Sequence, residues 1–485
     1  MLLTGAAYRE SIRDGRQVWI DGERVRDVTT HSAFKPIVDV RARVYDMAHE
    51  DATREVMAFA DEAGGRSSIA WRPPRAKADW YAKRAWIDAV MHDIGGVAIR
   101  LGDETIGALW SMLDAREVLD NVDPRFTANI EHHVRRVVDR DLFHVSANTD
   151  PKGDRSKRPQ DQDPDMLLHV VKETDAGIVV RGAKYETAAA YAHQAFVKPT
   201  IANWGDATMS DYALSFICPM NADGLKHICR TGFADRVNPD DYPLASRFDE
   251  VDTLLVFDDV LIPWEDVLFY RHTRAASFIR GMLHRYSAFP FVARLLHVAD
   301  LLIGAALFNA RQTGLHHQQA VREKLAELAC YRQGIEAHLV AAIELAQPTD
   351  GGLLMPNQSM IYTGRMHACS RLPAMMHLAR ELVGGQICVT PDAAAFADPE
   401  IKDWLAKYYT VNEAWSAEDR RKLLAFARDL LNSGYAGHRL TFQLFAQSPP
   451  VAHLAAVYQT FDFQGPLAFV QRAAGLSDRV LEQKG

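Results

Sequence analysis

The sequence predicts a mainly α-helical protein with a single β domain set in its middle, and three observations carry that prediction. From about residue 50 to 140, apolar residues recur every three and four positions. Between about 141 and 272 this period gives way to short β-rich runs separated by turn residues. After about residue 273 the helical period returns and persists.

Each zone resolves into elements. Trp80, Ala85, Ile87, Val90 and Ile94 outline one amphipathic helix, and Ile106, Leu109, Met112 and Leu113 repeat the pattern. Residues 167–171 and 178–180, joined through Glu-Thr-Asp-Ala-Gly, read as a hairpin with Gly177 suited to positive φ. Residues 212–217 and 253–257 read as further strands, the second followed by 260–262 and Pro263, so a small β-barrel or sandwich is expected. Val321, Leu325, Leu328, Ile335, Leu339 and Ile343 form one stripe of a long bundle helix, which Pro348, Gly351 and Gly352 end. The expected division is an N-terminal helical segment (1–140), a middle β segment (141–272) and a C-terminal helical bundle (273–485). By analogy of element order this is an acyl-CoA dehydrogenase-like fold.

Bulk properties exclude several function classes. The 485 residues are 48% hydrophobic and 24% charged, with a formal net charge of −8 and no long Lys/Arg patch, which argues against a nucleic-acid partner. No run of about 18 uninterrupted apolar residues occurs, so no membrane span is expected, and the charged N-terminus does not read as a signal peptide. Cys218, Cys229, Cys330, Cys369 and Cys388 are too scattered for a disulfide framework or a C-x-x-C metal site, and a cytoplasmic location is expected. Neither a dinucleotide fingerprint nor a P-loop is present. His132-His133 and His316-His317 point about 100° apart on a helix, so neither pair chelates a metal alone, and no metal is expected.

One polar stretch has more content. Asp150-Pro-Lys-Gly-Asp-Arg-Ser-Lys157 lies where the helical zone meets the β zone. Its turn N–H groups, with Arg155 and Lys157 beside them, suit an anion or an electron-rich ring. A charged connector has the same composition, and both readings stand at this level. Gly384-Gly385 likewise read as a helix stop or as a cofactor contact.

Three ordered stretches carry a family resemblance. The first is Gly15-Arg-Gln-Val-Trp-Ile-Asp-Gly-Glu-Arg-Val, with Asp27-Val-Thr-Thr-His31 and Arg43-Val-Tyr-Asp46. The second runs from Asp141 through Asp150-Pro and Asp154-Arg-Ser-Lys157 to Val171-Lys-Glu-Thr-Asp-Ala-Gly-Ile-Val-Val-Arg-Gly-Ala-Lys184. The third is Asp241-Tyr-Pro-Leu-Ala-Ser-Arg-Phe-Asp-Glu250, continuing to Asp259-Val-Leu-Ile-Pro-Trp-Glu-Asp-Val-Leu268. Together they resemble the 4-hydroxyphenylacetate 3-monooxygenase family, the oxygenase halves of two-component aromatic hydroxylases. The resemblance implies reduced FAD delivered by a separate flavin reductase, if only by diffusion, and molecular oxygen as co-substrate. It also implies a homotetramer or homodimer held by C-terminal helices. The implied chemistry is transfer of oxygen from a flavin C4a-hydroperoxide to an aromatic or heteroaromatic ring. The implied flavin contacts are Lys152, Gly153, Asp154, Arg155, Ser156, Gln160, Thr187, Gly385, Gln386 and Arg439.

The substrate end departs from the family pattern. The family binds the phenol oxygen with an Arg and a Tyr four residues apart and a His shortly before the Asp-Pro turn. Here Arg100 is kept, Glu104 stands at the tyrosine position and Ser146 at the histidine position, with His144 two residues earlier. Glu104 either recognises a hydrogen-bond donor on a different ring, even as a general base, or merely neutralises Arg100 at i,i+4. His144 either takes over the histidine role or is an ordinary strand residue. Near the C-terminus, Ala436-Gly-His-Arg439 keeps the family's charge with its order exchanged. Two alternatives are weighed beside the oxygenase. A dehydratase like 4-hydroxybutyryl-CoA dehydratase would need a cluster held by three cysteines, two of them in the N-terminal helices, whereas this chain has no cysteine before Cys218. A flavin-binding paralogue without turnover is the other.

Overall fold

The computed structural model describes residues 2–61, 64–154, 156–199, 207–445 and 450–477. Near the N-terminus two short strands, β1 (Gln17–Ile20) and β2 (Glu23–Val25), form a tight hairpin. Asp21 and Gly22 turn it with φ of 53° and 81°, the positive values that a two-residue hairpin loop needs. Helices α1 (Lys77–Ile94), α2 (Asp103–Leu113) and α3 (Pro124–Arg140) follow. Gly95 ends α1 at φ 102° with its N–H on the Met91 carbonyl. Gly102 precedes α2 at φ 91°, where a Cβ would press on the Trp71 ring at 2.9 Å.

The middle segment contains β3 (His144–Ala147), β4 (His169–Thr174), β5 (Gly177–Thr187), β6 (Gln194–Val197), β7 (Leu214–Pro219), β8 (Leu225–Cys229), β9 (Asp252–Pro263) and β10 (Val267–Tyr270). They form two sheets, one in the order β2-β1-β8-β9-β5-β4 and one in the order β10-β7-β6-β3. Phe216 and Phe257, one from each sheet, meet edge to face at 5.9 Å, so the arrangement is a sandwich. The expected hairpin forms between β4 and β5, with Gly177 at φ 153°. Two details differ from the sequence reading. Residues 253–257 and 260–262 are one strand, β9, bent by a register shift between Phe257 and Val260. The stretch read as an N-terminal helical segment also lends β1 and β2 to the larger sheet, where β1 pairs in parallel with β8. Four alternating residues are too few to announce a strand beside so many helices.

The C-terminal bundle is built on α4 (Ala288–Gln312), α5 (Gln319–Glu344) and α6 (Gln358–Val383). The stripe expected on α5 points inward at Leu328, Ile335, Leu339 and Ile343, which are buried. Helix α4 is long and apolar enough to cross a membrane by composition, but 67% of its most apolar window is buried inside the protein, as in a core helix. Two last helices, α7 (Pro450–Thr460) and α8 (Gln464–Ala474), leave many apolar side chains exposed.

Candidate active site

The sandwich and the bundle meet around Arg100, just before α2. Its backbone N–H donates to Glu250 at 2.6 Å. Glu250 also accepts from Arg439 at 2.8 Å, and Arg439 donates in addition to the Ala98 carbonyl. Arg439 therefore holds the backbone leading into Arg100, directly at Ala98 and through Glu250 at the Arg100 N–H. The Arg100 guanidinium lies between two carboxylates, 3.5 Å from Glu104 and 3.7 Å from Glu186. From α4, Arg294 donates to Glu104 at 2.8 Å and to the neighbouring Asp103. Asp103, Glu104, Glu186 and Arg294 are all buried. Ser146 on β3 shares a 3.1 Å hydrogen bond with Thr105 of α2. His144, one strand period away, is fully buried and edge-on to Trp71 at 5.5 Å.

These environments push equivalent groups apart. Burial alone would raise Glu104, but the guanidiniums of Arg294 and Arg100 overcome it and hold the carboxyl down to about 2. Burial lifts Asp103 to about 7, with Arg294 opposing. It lifts Glu186 to about 8, against Arg100 and Lys198. Burial also lowers Lys198 to about 7 and His144 to about 3, so His144 is neutral at ordinary pH. Of the two readings of Glu104, the i,i+4 pair with Arg100 is present in the structure. The two guanidiniums that hold this carboxyl down make it a poorer proton acceptor than a free carboxylate.

Sequence reasoning missed five charged groups of this cluster: Asp103, Glu186, Lys198, Glu250 and Arg294. A usable signal existed for two of them. Arg294 interrupts an otherwise apolar run, and Glu186 occupies a strand position where a core side chain is the norm.

The cofactor candidates fall into separate places. Asp150 is ion-paired with the buried Lys184 at 2.9 Å, and Lys184 also donates to the Lys198 carbonyl at 2.9 Å, tying the polar loop to β5 and to the chain beyond β6. Lys152, Gly153, Asp154, Ser156 and Lys157 of the loop are exposed. Asp154 organises it by accepting from the Ser156 N–H and hydroxyl at 3.0 and 2.7 Å, and Gly153 turns it at φ 54°. Arg155 lies outside the described residues. Gln160 sits partly buried in a short turn farther along. Thr187 alternates away from Glu186 along β5 and donates to Asp252 at 2.5 Å, so it does not join the Arg100 cluster. Gly384 caps α6, as its helix-stop reading expects. Gly385 and Gln386 beyond it are exposed, with Gln386 accepting from Arg420.

The buried polar inventory fits a flavin. The buried Lys198 ammonium lies over the Phe196 ring at 5.4 Å, and the Arg100 Nε is buried without a hydrogen-bond partner. Buried donors of this kind, Lys198 being tied to the Asp150 loop through Lys184, suit the electron-rich edge of an isoalloxazine ring.

Comparison with known proteins agrees with this geometry. Residues 4–269 match the family described as 4-hydroxyphenylacetate 3-hydroxylase N terminal, and residues 273–475 match its C-terminal counterpart. The oxygenase component of 4-nitrophenol 2-monooxygenase from Rhodococcus sp is 31% identical over 94% of this chain and 88% of that protein. The FADH2-dependent monooxygenase TftD of Burkholderia cepacia is 27% identical over 93% of this chain and 88% of that protein. A crystal structure of the oxygenase component of 4-hydroxyphenylacetate 3-monooxygenase complexed with FAD superposes with a TM-score of 0.90 at 27% identity, covering 98% of this chain and 99% of that one. With both halves matched over nearly the whole sequence and the same fold beneath them, this chain belongs to the 4-hydroxyphenylacetate 3-hydroxylase family and is an FADH2-dependent aromatic monooxygenase.

Proposed function

We propose that the ring hydroxylated here carries a hydroxyl or N–H group that is held at Arg100. The observation behind this is the Arg100 cluster itself: a largely enclosed guanidinium, backbone-anchored through Glu250, with a buried carboxylate on either side. Arg100 would hold the ring oxygen and favour its ionised form, which enriches the ring carbons in electrons. The flanking acceptors would select a substituent that can donate a hydrogen bond. Burial of the cluster excludes water from the reacting ring. When bound, reduced FAD supplies the activated oxygen.

Lys198 and the loop of Lys152, Gly153, Asp154, Arg155 and Ser156 are the proposed holders of the flavin, with Gln160, Thr187, Gly385 and Gln386 as outlying candidates. Arg439 would act through the backbone of Arg100, because its guanidinium is already engaged. Ser146 and His144 would line the ring from β3. A flavin reductase is the required partner, with diffusion of FADH2 sufficient for delivery. The exposed apolar faces of α7 and α8 support a homodimer or homotetramer, since patches of this kind mark association surfaces.

The test is to supply FADH2 and oxygen with a panel of phenols, anilines and N-heteroaromatics, following hydroxylated product and free peroxide. Hydroxylation of at least one hydroxyl- or amino-bearing ring is expected, with Arg100→Met losing about 10²-fold or more in kcat/KM. Peroxide release without product on every ring would sink the reading.

A further inference from the structure

Glu186 projects from β5 toward the same face as Lys184, into the cluster around Arg100. Its side chain is 3% exposed, and Oε1 stands 3.7 Å from Arg100 Nη2 with no hydrogen-bond partner among the described residues. A buried carboxyl oxygen without a partner is costly unless something occupies it. We propose that Glu186 is the proton acceptor for the substrate, taking the proton of the ring hydroxyl or N–H as Arg100 grips the same substituent. This rests on the reading of Arg100 as the substrate anchor.

The step balances simply. The substrate O–H (or N–H) bond breaks, its electron pair stays on the ring heteroatom beside the Arg100 guanidinium, and a new O–H bond forms on Glu186 Oε1. Nothing is oxidised or reduced in it.

Glu104 is the obvious rival, being closer to Arg100 and also having a buried Oε1 without a partner, but its Oε2 already accepts from Arg294 at 2.8 Å, and the two guanidiniums together make it the weaker base. Glu186 faces Arg100 from the segment before α2, Glu104 from α2, Lys198 from beyond β6 and Asp252 from β9. Burial outweighs the two cations and lifts its carboxyl to about 8. An acceptor near the pKa of the donor is the more effective one.

The proposal predicts a dependence on how acidic the ring is. An alkylphenol needs its proton removed, whereas a nitrophenol ionises near neutral pH unaided. With the FADH2-loaded enzyme, wild-type kcat/KM for the alkylphenol is expected to rise through a limb near pH 8. Glu186→Gln should lose that limb and about 10²-fold or more in kcat/KM on the alkylphenol, with a clearly smaller loss on the nitrophenol. Glu186→Asp should keep the limb. Binding without turnover gives an independent readout. Above about pH 8, where Glu186 is ionised, binding an alkylphenol without flavin should add a protonated-carboxyl band to the infrared difference spectrum of wild type, a band absent in Glu186→Gln. Equal losses on both rings, with the limb kept in Glu186→Gln and no carboxyl band gained by wild type, would overturn the proposal. If Glu186→Gln does not fold, the wild-type infrared band and the Glu186→Asp profile decide by the same criteria. A wild type that hydroxylates no ring defeats the functional reading instead, so the two failures are distinguishable.

Discussion

At the scale of single residues, Arg294 decides what Glu104 is. With one guanidinium it bonds two adjacent carboxyls, Asp103 and Glu104, inside a helix pair that excludes water. Replacing one partner of such a cluster leaves buried charge uncompensated. Arg294→Met is therefore expected to cost about 3–5 kcal/mol in urea unfolding, and Asp103→Asn combined with it should recover part of that loss. The sequence showed the Arg100/Glu104 half of this cluster because i,i+4 neighbours are visible in any helix. Arg294 lies 190 positions from Glu104, and no local pattern could join them.

At the scale of elements, the strands that carry the site depend on close backbone approaches. At Gly177 the chain enters β5 at φ 153°, and a Cβ there would overlap the Ile262 carbonyl, its carbon only 2.8 Å away. Gly177→Ala should cost about 3 kcal/mol, seen as a lower urea midpoint, because both strand backbones would have to move. Gly314, also at positive φ (72°), has open space around it, so Gly314→Ala should cost only about 1 kcal/mol of backbone strain. The hairpin turn was legible in the sequence. The continuity of β9 was not, because its bulge puts two exposed aspartates, Asp258 and Asp259, where a strand pattern breaks off. Their tolerance comes from the ladder on either side.

At the scale of the whole molecule, two predictions concern surface and pH. On α7 and α8, Val451, Tyr458 and Phe469 are 71%, 71% and 72% exposed in the single chain. Val451→Glu with Phe469→Glu should shift sedimentation toward smaller species without unfolding the protein, if these faces carry the proposed homo-oligomer. The second prediction concerns acid stability. Burial lowers His227 to about 3, with its ring on the Met220 carbonyl at 2.8 Å. The unfolded chain takes up that proton near pH 6.5, so between there and pH 3 the unfolded state binds more protons and wild type loses stability as pH falls. Urea midpoints at pH 7 and pH 5 should therefore drop further in wild type than in His227→Gln.

Element order, the hairpin at Gly177, the long helix α5 and the family were all determined by the sequence alone, because periodicity, turn chemistry and contiguous motifs are local quantities. Arg100 and the two substitutions beside it were legible for the same reason. Tertiary structure alone decided their chemistry. It brought Arg294 from α4 onto Glu104 and Glu186 from β5 onto Arg100, buried them together, and so separated one carboxyl held at about 2 from another raised to about 8. A carboxyl's proton affinity is set by the water it has lost and the charges it faces, and neither is written in its neighbours along the chain.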